Sequence, residues 1–185
     1  MRPLIVMTPK SLLRLPAATS AMDELESGGF QPVIDDALAT DKAAVTRIVL
    51  CSGKVYYDLD AGREESADRR VAIVRLEQFY PFPTSRLNEV FAEYPNAKEV
   101  FWTQEEPQNM GGWTFVQNRL QEMIPSAASL RFVGRAPSAS PATGSYAIHE
   151  LEQKQIVSES LTTHSDEISP ASEPEVSEKV APAAS

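Results

Sequence analysis

The segment Cys51-Ser52-Gly53-Lys54 places a thiol, a hydroxyl, a glycine and a cation directly after an apolar run that predicts a β-strand. Ligands of open α/β sheets bind beyond the carboxyl ends of the strands. A glycine there exposes backbone N–H groups, and the start of a following helix adds partial positive charge to the full charge of Lys54. The segment therefore predicts a site for a phosphate or a carboxylate. An ordinary strand-to-helix turn is the alternative, since the spacing of a Walker loop is missing.

Three further cations, Lys10, Arg14 and Arg75, lie at or just beyond the ends of other predicted strands. Lys10 and Arg14 are four residues apart, so a helix would place them on one face. Together with Ser52 and Lys54 they predict a cationic edge of the sheet. Such an edge would bind an anionic ligand or form an interdomain salt bridge. Separate surface charges are the alternative interpretation.

Two adjacent carboxylates, Glu105 and Glu106, precede a loop that contains two glycines and ends at Trp113. Paired carboxylates can perform acid–base catalysis, but neighbours in sequence often point apart and no nucleophile accompanies this pair. A loop of this kind is more typical of a packing interface. Arg135 follows another predicted strand, and we expect it either to anchor the proline-stiffened loop after it or to pair with Glu105 or Glu106 across the sheet edge. We predict no catalytic residue in the chain.

The composition excludes several classes of protein. The chain has 185 residues and a net charge of −9, whereas proteins that bind nucleic acid by bulk electrostatics carry a basic surplus. The single cysteine, Cys51, excludes an internal disulfide and a multi-cysteine metal site, and we expect it to be a buried structural residue. Two histidines, His149 and His164, leave little for a metal site, so none is predicted. No apolar run approaches the roughly 20 residues of a membrane span.

The elements that position these residues alternate between strands and helices. Near-continuous apolar runs predict buried strands at 4–7, 45–51, 71–76, 99–103 and 130–134. Helical spacing predicts helices at 56–70, 84–94, 113–124 and 145–157, with a short helix around 17–25. Gly62 weakens the first of the long helices. The order predicts an α/β three-layer sandwich with a mostly parallel five-stranded sheet and helices on both faces.

The composition changes near residue 158. Residues 158–185 lack aromatic side chains and are rich in Ser, Ala, Pro and Glu. A segment with so few large apolar side chains cannot bury enough surface to offset the conformational entropy lost on folding. We therefore predict an α/β domain at 1–157 followed by a disordered acidic tail. An interdomain linker is the alternative.

Five segments of the chain resemble segments of one protein family and occur in the same order. They are RPLIVMTPKSLLR, VLCSGKVYYDL, VAIVRLEQFYPFP, WTQEEPQNMGGW and SLRFVGRAPSASPATGS. From residue 2 to about residue 157 the chain is similar to the C-terminal domain of the thiamin-diphosphate-dependent component of 2-oxoglutarate dehydrogenase, a transketolase-type C-terminal domain. The tail from 158 onward does not fit the pattern of that family.

The resemblance implies a place in a multienzyme complex of the citric acid cycle. Enzymes of this family decarboxylate 2-oxoglutarate on thiamin diphosphate and pass the succinyl group to lipoate on a partner succinyltransferase. Two preceding domains hold the thiamin diphosphate and its magnesium, so we expect no cofactor on this chain and no activity from it alone. The implied partners are the remaining domains of the same component, a second copy in a homodimer, and the lipoate succinyltransferase, with neither nucleic acid nor membrane. As a default we expect a bacterial cytoplasm, or the mitochondrial matrix in a eukaryote.

The resemblance also implies roles for the residues singled out above. The domain would serve dimer packing, shape the entrance of the active site, and bind a nucleotide-like effector such as an adenylate or acetyl-coenzyme A. We assign anion contact to the cationic edge: Lys10, Arg14, Ser52, Lys54 and Arg75. We assign interdomain or dimer packing to Glu105, Glu106, Trp113 and Arg135.

Two alternative functions stay open at this point. One is a stand-alone module that binds a nucleotide or acyl-coenzyme A effector, and the other is an interaction scaffold whose acidic tail recruits a partner. We also expect the isolated chain to expose an apolar patch left by its missing neighbour domains and therefore to self-associate. The motivating residues are the aromatic set Phe79, Tyr80, Phe82 and Trp113.

Overall fold

Four apolar runs form the long strands of one sheet in the computed structural model, which describes residues 3–5, 8–65 and 69–163. The strands are β1 Val33–Ile34, β2 Arg47–Cys51, β3 Val71–Leu76, β4 Glu99–Pro107 and β5 Ser129–Arg135. They lie in the order β1-β3-β2-β4-β5. The strands from β2 to β5 are parallel, and only β1 runs antiparallel, along β3. Since nearly every residue of β2 and β3 is buried, both faces of the sheet must be covered.

Four helices cover the two faces. They are α2 Val55–Glu65, α3 Thr84–Ala92, α4 Trp113–Met123 and α5 Tyr146–Leu161. Earlier in the chain, α1 Met22–Glu26 and the short 3-10 helices Lys10–Arg14 and Pro16–Ala18 bury no residue. Buried side chains of α3 and α4 pack with Ile48 and Leu50 on one face. Those of α2 and α5 pack with Val49 and Cys51 on the other. The predicted three-layer α/β sandwich is therefore confirmed.

The core lies at the centre of the sheet, where alternate residues of each strand point to opposite faces. Trp102 and Phe101 are neighbours on β4, and each is 1% exposed, one towards each face. Fully burying a large apolar side chain contributes about 1.5–3 kcal/mol, so these central strands are the stable frame of the domain. Their carboxyl ends are consequently fixed points from which loops can present side chains.

The predicted first strand is wrong for residues 3–5. Leu4 and Ile5 are 88% and 80% exposed, and residues 3–5 adopt no regular structure. Residues 6 and 7 lie outside the described part of the chain. The fifth strand is instead β1, whose two residues pair with Arg75 and Leu76. A strand of two residues is too short to produce a recognisable alternation in the sequence.

The last helix extends beyond its predicted end. It continues through Leu161, and Ser160 and Leu161 are buried. The Arg47 side chain explains the extension, because its Nη1 donates to the carbonyls of Ser160 at 3.2 Å and Thr162 at 2.7 Å. A guanidinium group at a helix C-terminus satisfies carbonyls that have no partner within the helix. Residues 164–185 lie outside the described residues, so the disordered tail stays a prediction.

Two further expectations can be compared with the structure. The predicted aromatic patch is wrong for three of its four members: Phe79 and Phe82 pack around Phe115, and Trp113 is buried. Only Tyr80 is largely exposed, at 86%. Among the described residues, no helix is long and apolar enough to cross a membrane.

Candidate functional site at the carboxyl edge of the sheet

The carboxyl ends of β2 and β4 diverge. After β2 the chain enters α2 on one face of the sheet, whereas after β4 it enters α4 on the opposite face. Neighbouring parallel strands whose connections leave in opposite directions create a crevice between their carboxyl ends. The fold therefore has its strongest candidate site where the sequence placed it, beyond Cys51.

A cavity of about 420 Å³ occupies this crevice. Its polar side is formed by Ser52 and Gly53 from the end of β2 and by Gln104 and Glu106 from β4. Phe79, Trp102 and Phe115 form the apolar side, and Gly111 and Gly112 complete the lining. Gly53 has a φ of 75°, a conformation that favours glycine and turns the chain sharply from β2 into α2.

Lys54 follows Gly53 in the chain and lies between two carboxylates. Its Nζ is 2.7 Å from Glu105 Oε1 and 3.1 Å from Asp58 Oδ2. Desolvation alone would lower the pKa of Lys54, but the hydrogen bond and charge of Glu105, together with those of Asp58, raise the pKa above its ordinary value. Lys54 is therefore a fixed cation whose charge is balanced within the domain.

Arg75 occupies a second position on the same edge, at the end of β3. Its Nε donates to Glu77 Oε1 at 2.9 Å, and its guanidinium group stacks on the ring of Tyr56 with the Cζ 4.5 Å from the ring centroid. It also lines a separate cavity of about 520 Å³. The structure thus places both Lys54 and Arg75 at the carboxyl edge, each paired with a carboxylate that an incoming anion would have to displace.

Lys10 and Arg14 are not placed at this edge by any strand. They are the first and last residues of an exposed 3-10 helix that buries no side chain. The argument that they converge with Lys54 depended on a strand at 4–7, and the described residues of that run do not form one. Anion contact by Lys10, Arg14, Ser52, Lys54 and Arg75 accordingly stays a prediction.

Gln104 is the residue of this site that sequence reasoning missed. Its side chain is buried, and the Oε1 atom accepts the indole N–H of Trp102 at 2.8 Å and the backbone N–H groups of Gly112 at 3.1 Å and Trp113 at 3.0 Å. Its Nε2 donates to the carbonyls of Glu106 and Pro107 at the end of β4 and to the carbonyl of Met110 in the following loop. One amide therefore fixes the loop that connects β4 to α4. A glutamine close behind the apolar run at 100–102 was the sequence signal.

Arg135 contacts Glu105, but through the backbone. A guanidinium N–H of Arg135 donates to the Glu105 carbonyl, while its Nε donates to Glu152 Oε2 at 2.7 Å. The predicted pairing with the Glu105 or Glu106 carboxylate is thus replaced by an ion pair with α5. Further contacts run from its Nη2 to His149 Nδ1 at 3.1 Å and Gln153 Oε1 at 3.2 Å.

The four residues assigned to packing between domains have different environments. Trp113 is buried against Phe132, with ring centroids 5.4 Å apart. Glu105 and Arg135 are half-buried in contacts within the domain, and Glu106 is exposed. Glu106 is therefore the member of this set most available to another domain, and the interdomain role of all four stays a prediction.

The site provides little for covalent or metal chemistry. Burial raises the pKa of the Cys51 thiol to about 12, so the thiolate is not available at neutral pH. The described part of the chain contains no group of three His, Cys, Asp or Glu side chains that could hold a metal ion.

Comparison with known proteins agrees with the geometry. The family described as 2-oxoglutarate dehydrogenase C-terminal matches residues 19–161. The oxoglutarate dehydrogenase of Buchnera aphidicola is 44% identical over 160 residues, which are 86% of this chain and 18% of that protein. The 2-oxoglutarate dehydrogenase E1 component of Bacillus subtilis is 46% identical over 164 residues, 87% of this chain and 17% of that protein. The E1/E2 component of Corynebacterium glutamicum is 44% identical over 161 residues, 13% of its length. The chain thus spans less than a fifth of these relatives.

Proposed function

The chain belongs to the family of 2-oxoglutarate dehydrogenase C-terminal domains, and we propose from this that it works as the C-terminal domain of such a dehydrogenase. The reaction of the whole enzyme would be the oxidative decarboxylation of 2-oxoglutarate, with transfer of the succinyl group to lipoate. The single observation that carries the proposal is the identity of 44% to 46% to dehydrogenases over 160 to 164 residues.

The proposal assigns no chemical step to the side chains of this chain. Lys54 and Arg75 are paired with carboxylates, and Cys51 is buried with a raised pKa. Thiamin diphosphate and magnesium would be held by the much larger part of the relatives that this chain does not match. The domain would contribute a rigid sheet edge that packs against that part and shapes the entrance of the active site.

The proposed partners follow from the assignment of cofactor binding to the rest of the enzyme and of packing to this domain. The first is the cofactor-binding part of the same component, the second is another copy in a homodimer, and the third is the lipoate succinyltransferase. The exposed Glu106, beside the crevice, is the carboxylate on this edge best placed to meet one of them.

A second candidate function, effector binding, is favoured by one observation. The crevice lies at the divergence of β2 and β4, where α/β sheets bind ligands, and Ser52 and Gly53 line it. A nucleotide or acyl-coenzyme A effector would place a phosphate near Lys54 and displace a carboxylate from it. Isothermal calorimetry with an adenylate and with acetyl-coenzyme A tests this, and Lys54→Gln should weaken binding if the phosphate lies there.

The experiment for the main proposal is thiamin-dependent decarboxylation of 2-oxoglutarate with a dye acceptor. The chain is assayed alone and then mixed with separately produced cofactor-binding domains of a dehydrogenase. We expect no turnover from the chain alone and turnover from the mixture. The mixture without thiamin diphosphate is the control, because a dye-reducing contaminant would persist in it.

The alternative outcomes have distinct meanings. Turnover by the chain alone would contradict the assignment of all chemistry to the cofactor-binding domains. Cofactor-binding domains that work equally well without the chain would contradict its role as a required part of the enzyme. Tight effector binding combined with no turnover in any mixture would move the function to a separate effector-binding module.

A further inference from the structure

The crevice cavity, the space of about 420 Å³ between the carboxyl ends of β2 and β4, has one charged residue among the described residues that line it. That residue is Glu106, which is exposed and forms no ion pair with the described part of the chain. Its backbone is held in place, because its carbonyl accepts a hydrogen bond from Gln104 Nε2 at 3.2 Å. An unpaired carboxylate attracts a cation and repels an anion. The lining of the crevice cavity therefore favours a positively charged ligand.

The nearest cation in the sequence does not reverse this preference. Lys54 follows Gly53 in the chain, but it does not line the crevice cavity. Its Nζ is 2.7 Å from Glu105 Oε1 and 3.1 Å from Asp58 Oδ2. One positive charge thus lies between two negative charges, and the group as a whole is negative.

The helix that begins beside the crevice cavity is also not free to bind an anion. Helix N-termini attract anions through N–H groups that have no partner within the helix. At the start of α4, the N–H groups of Gly112 and Trp113 both donate to Gln104 Oε1, at 3.1 Å and 3.0 Å. The start of α2 has the Asp58 carboxylate in its first turn, which offsets the partial positive charge there. Neither helix start therefore outweighs Glu106.

The apolar side of the crevice cavity consists of aromatic rings, those of Phe79, Trp102 and Phe115. The Phe79 ring is inclined by 79° to Trp102 and by 62° to Phe115, with centroids 6.0 Å and 6.1 Å apart. Aromatic faces attract cations that lie within about 6 Å of the ring centroid. Arg119 already uses the Phe115 ring in this way, because its guanidinium Cζ lies 3.9 Å from the ring centroid.

The polar side chains of the crevice cavity that remain free can accept hydrogen bonds. Ser52 Oγ makes no hydrogen bond to the described residues, and a hydroxyl oxygen can accept from an ammonium or guanidinium group. The Gln104 amide is fully used, since its Oε1 accepts from three N–H groups and its Nε2 donates to three carbonyls. A ligand with donors and no acceptor, as in an ammonium or guanidinium group, matches what is left.

A larger cavity of about 600 Å³, between α2 and α5, lacks this combination. The described residues that line it carry both signs of charge, on Asp58, Glu65 and Lys154, and include no aromatic ring. It therefore has no comparable preference for one class of ligand.

We propose that the crevice cavity binds an organic cation, an alkylammonium or guanidinium group carried on an apolar chain. The charged group would pair with the Glu106 carboxylate and donate to Ser52 Oγ, while the chain contacts the rings of Phe79 and Phe115. A volume of about 420 Å³ is in the range of pockets that hold small organic ligands. A lysine or arginine side chain of a polypeptide has the same chemistry. The inference concerns the cavity itself and does not depend on the dehydrogenase assignment.

The test uses small probes with the full chain. The N-acetyl N-methylamides of lysine and arginine carry the cation, the norleucine derivative has a similar apolar chain without a charge, and the glutamate derivative carries an anion. NMR titration at low salt follows the indole N–H of Trp102 and the backbone N–H of Gly111, because both residues line the cavity. These reporters separate binding in the cavity from the general attraction of cations to a chain with a net charge of −9.

Substitutions with matched controls locate the site. Glu106→Gln removes the charge of the cavity, and Glu122→Gln makes the same change at an exposed position of α4 that does not line it. Phe115→Leu removes an aromatic face and keeps an apolar side chain. Circular dichroism and thermal melting verify folding, and binding of the norleucine probe shows whether the apolar side of the cavity is intact.

We expect the lysine and arginine probes to bind about tenfold more tightly than the norleucine probe, and the glutamate probe to bind least. Glu106→Gln should weaken binding of the cationic probes about fivefold and leave norleucine binding unchanged, whereas Glu122→Gln should change neither. Phe115→Leu should weaken binding of the cationic probes about threefold. Added salt should weaken the cationic probes alone, because the carboxylate is exposed to solvent.

Several results would overturn the proposal. They are equal binding of the lysine and norleucine probes, tighter binding of the glutamate probe, and equal effects of Glu106→Gln and Glu122→Gln. An adenylate that shifts the Trp102 indole resonance, and whose binding Lys54→Gln abolishes but Glu106→Gln does not, would assign the cavity to an anionic effector instead. Among supporting results, butylammonium and butylguanidinium identify the source of the cation. Binding as tight as that of the amino-acid probes indicates a free small molecule, and weaker binding indicates the side chain of a polypeptide.

Discussion

Gln104 Oε1 accepts the backbone N–H of Trp113 at 3.0 Å, which connects the end of β4 to the first residue of α4. The Nε2 of the same amide donates to the carbonyls of Pro107 and Met110, so this one side chain fixes the backbone conformation between β4 and α4. Buried polar groups in such a network depend on one another, since a single lost partner leaves several groups unsatisfied. The shape of the crevice therefore depends on a side chain that does not itself have a chemical role there.

Replacing Gln104 with leucine should destabilise the domain strongly. Gln104→Leu keeps the volume but removes partners from the N–H groups of Trp102, Gly112 and Trp113. Each buried polar group left without a partner costs about 1–3 kcal/mol, and partial relaxation of the loop reduces the sum. We expect a loss of about 3 kcal/mol in the free energy of unfolding, measured from urea denaturation at constant slope.

The matched control is Gln117→Leu, at an exposed position of α4. It makes the same chemical change where no buried partner is lost, so the free energy of unfolding should change by no more than about 0.5 kcal/mol. Similar effects of the two substitutions would mean that the Gln104 amide does not hold the loop.

Arg47 provides a second prediction, about the docking of α5. Its guanidinium group pairs with Glu99 at 2.7 Å and caps the end of α5 at the carbonyls of Ser160 and Thr162. Arg47→Met removes both contacts and leaves Glu99 unpaired, which should cost about 3 kcal/mol. Hydrogen exchange should also accelerate in the last turn of α5 before the rest of the domain is affected.

Arg131→Met is the control for this substitution. Arg131 is 54% exposed and lies 3.6 Å from Glu159, also at the end of α5. Exposed ion pairs contribute about 0–1 kcal/mol, so this variant should leave hydrogen exchange of the last turn nearly unchanged. If hydrogen exchange in the last turn of α5 accelerated equally in both variants, any positive charge near the helix end would be sufficient and the buried Arg47 cap would not be what holds the helix.

The central strands and helices are predictable from the sequence because their own residues determine them. The strand Val71–Leu76 is a continuous apolar run, and α4 has apolar residues at helical spacing, so each pattern corresponds to one element. The candidate crevice follows from the same information, because strand ends of a parallel sheet share one edge. These predictions require only the pattern of neighbouring residues and the rule that parallel strands of one sheet end at the same edge.

The remaining features depend on contacts between distant parts of the chain. Arg47 and Thr162 are 115 residues apart in sequence, and no local pattern links them. The run at 4–7 was misleading for a different reason, since an apolar strand pattern indicates burial whereas Leu4 and Ile5 are exposed among the described residues. Sequence reasoning therefore placed Lys54 and Arg75 at the edge but did not pair them with their carboxylates, which are Glu105 and Asp58 for Lys54 and Glu77 for Arg75.

A third prediction concerns pH and the carboxylate of Asp35. Desolvation alone would raise the pKa of Asp35, but hydrogen bonds from Lys42 and Tyr94 lower it below its ordinary value of 3.8. Hydrogen bonding to Asp35 likewise raises the pKa of Lys42 above 10.5. Asp35 therefore contributes stability above about pH 4 that is lost as the pH falls through its folded pKa, and Lys42 contributes stability that is lost as the pH rises above 10.5.

The measurement is the free energy of unfolding between about pH 2 and pH 7 for the natural chain and for Asp35→Asn. The variant should lose about 1 kcal/mol at pH 7, and the difference between the two chains should shrink below about pH 4. A constant difference across this range would mean that the carboxylate's ionisation does not contribute. Glu106→Gln makes the same carboxylate-to-amide change at an exposed position and should alter the free energy of unfolding at pH 7 by no more than about 0.5 kcal/mol.

The last prediction concerns Gly62, which sequence reasoning treated only as a weak point of α2. A Cβ placed on Gly62 would lie 2.5 Å from Cγ1 of Val157 on α5, so the glycine is what lets the two helices approach closely. Alanine has a helix propensity about 1 kcal/mol better than glycine, but overpacking costs about 1–3 kcal/mol. Gly62→Ala should therefore lower the free energy of unfolding by about 1 kcal/mol. In Val157→Ala the same substitution should instead be neutral or stabilising, because the space is free. A double-mutant cycle from urea denaturation measures this coupling, and additive effects would mean that Val157 does not limit the approach of α5.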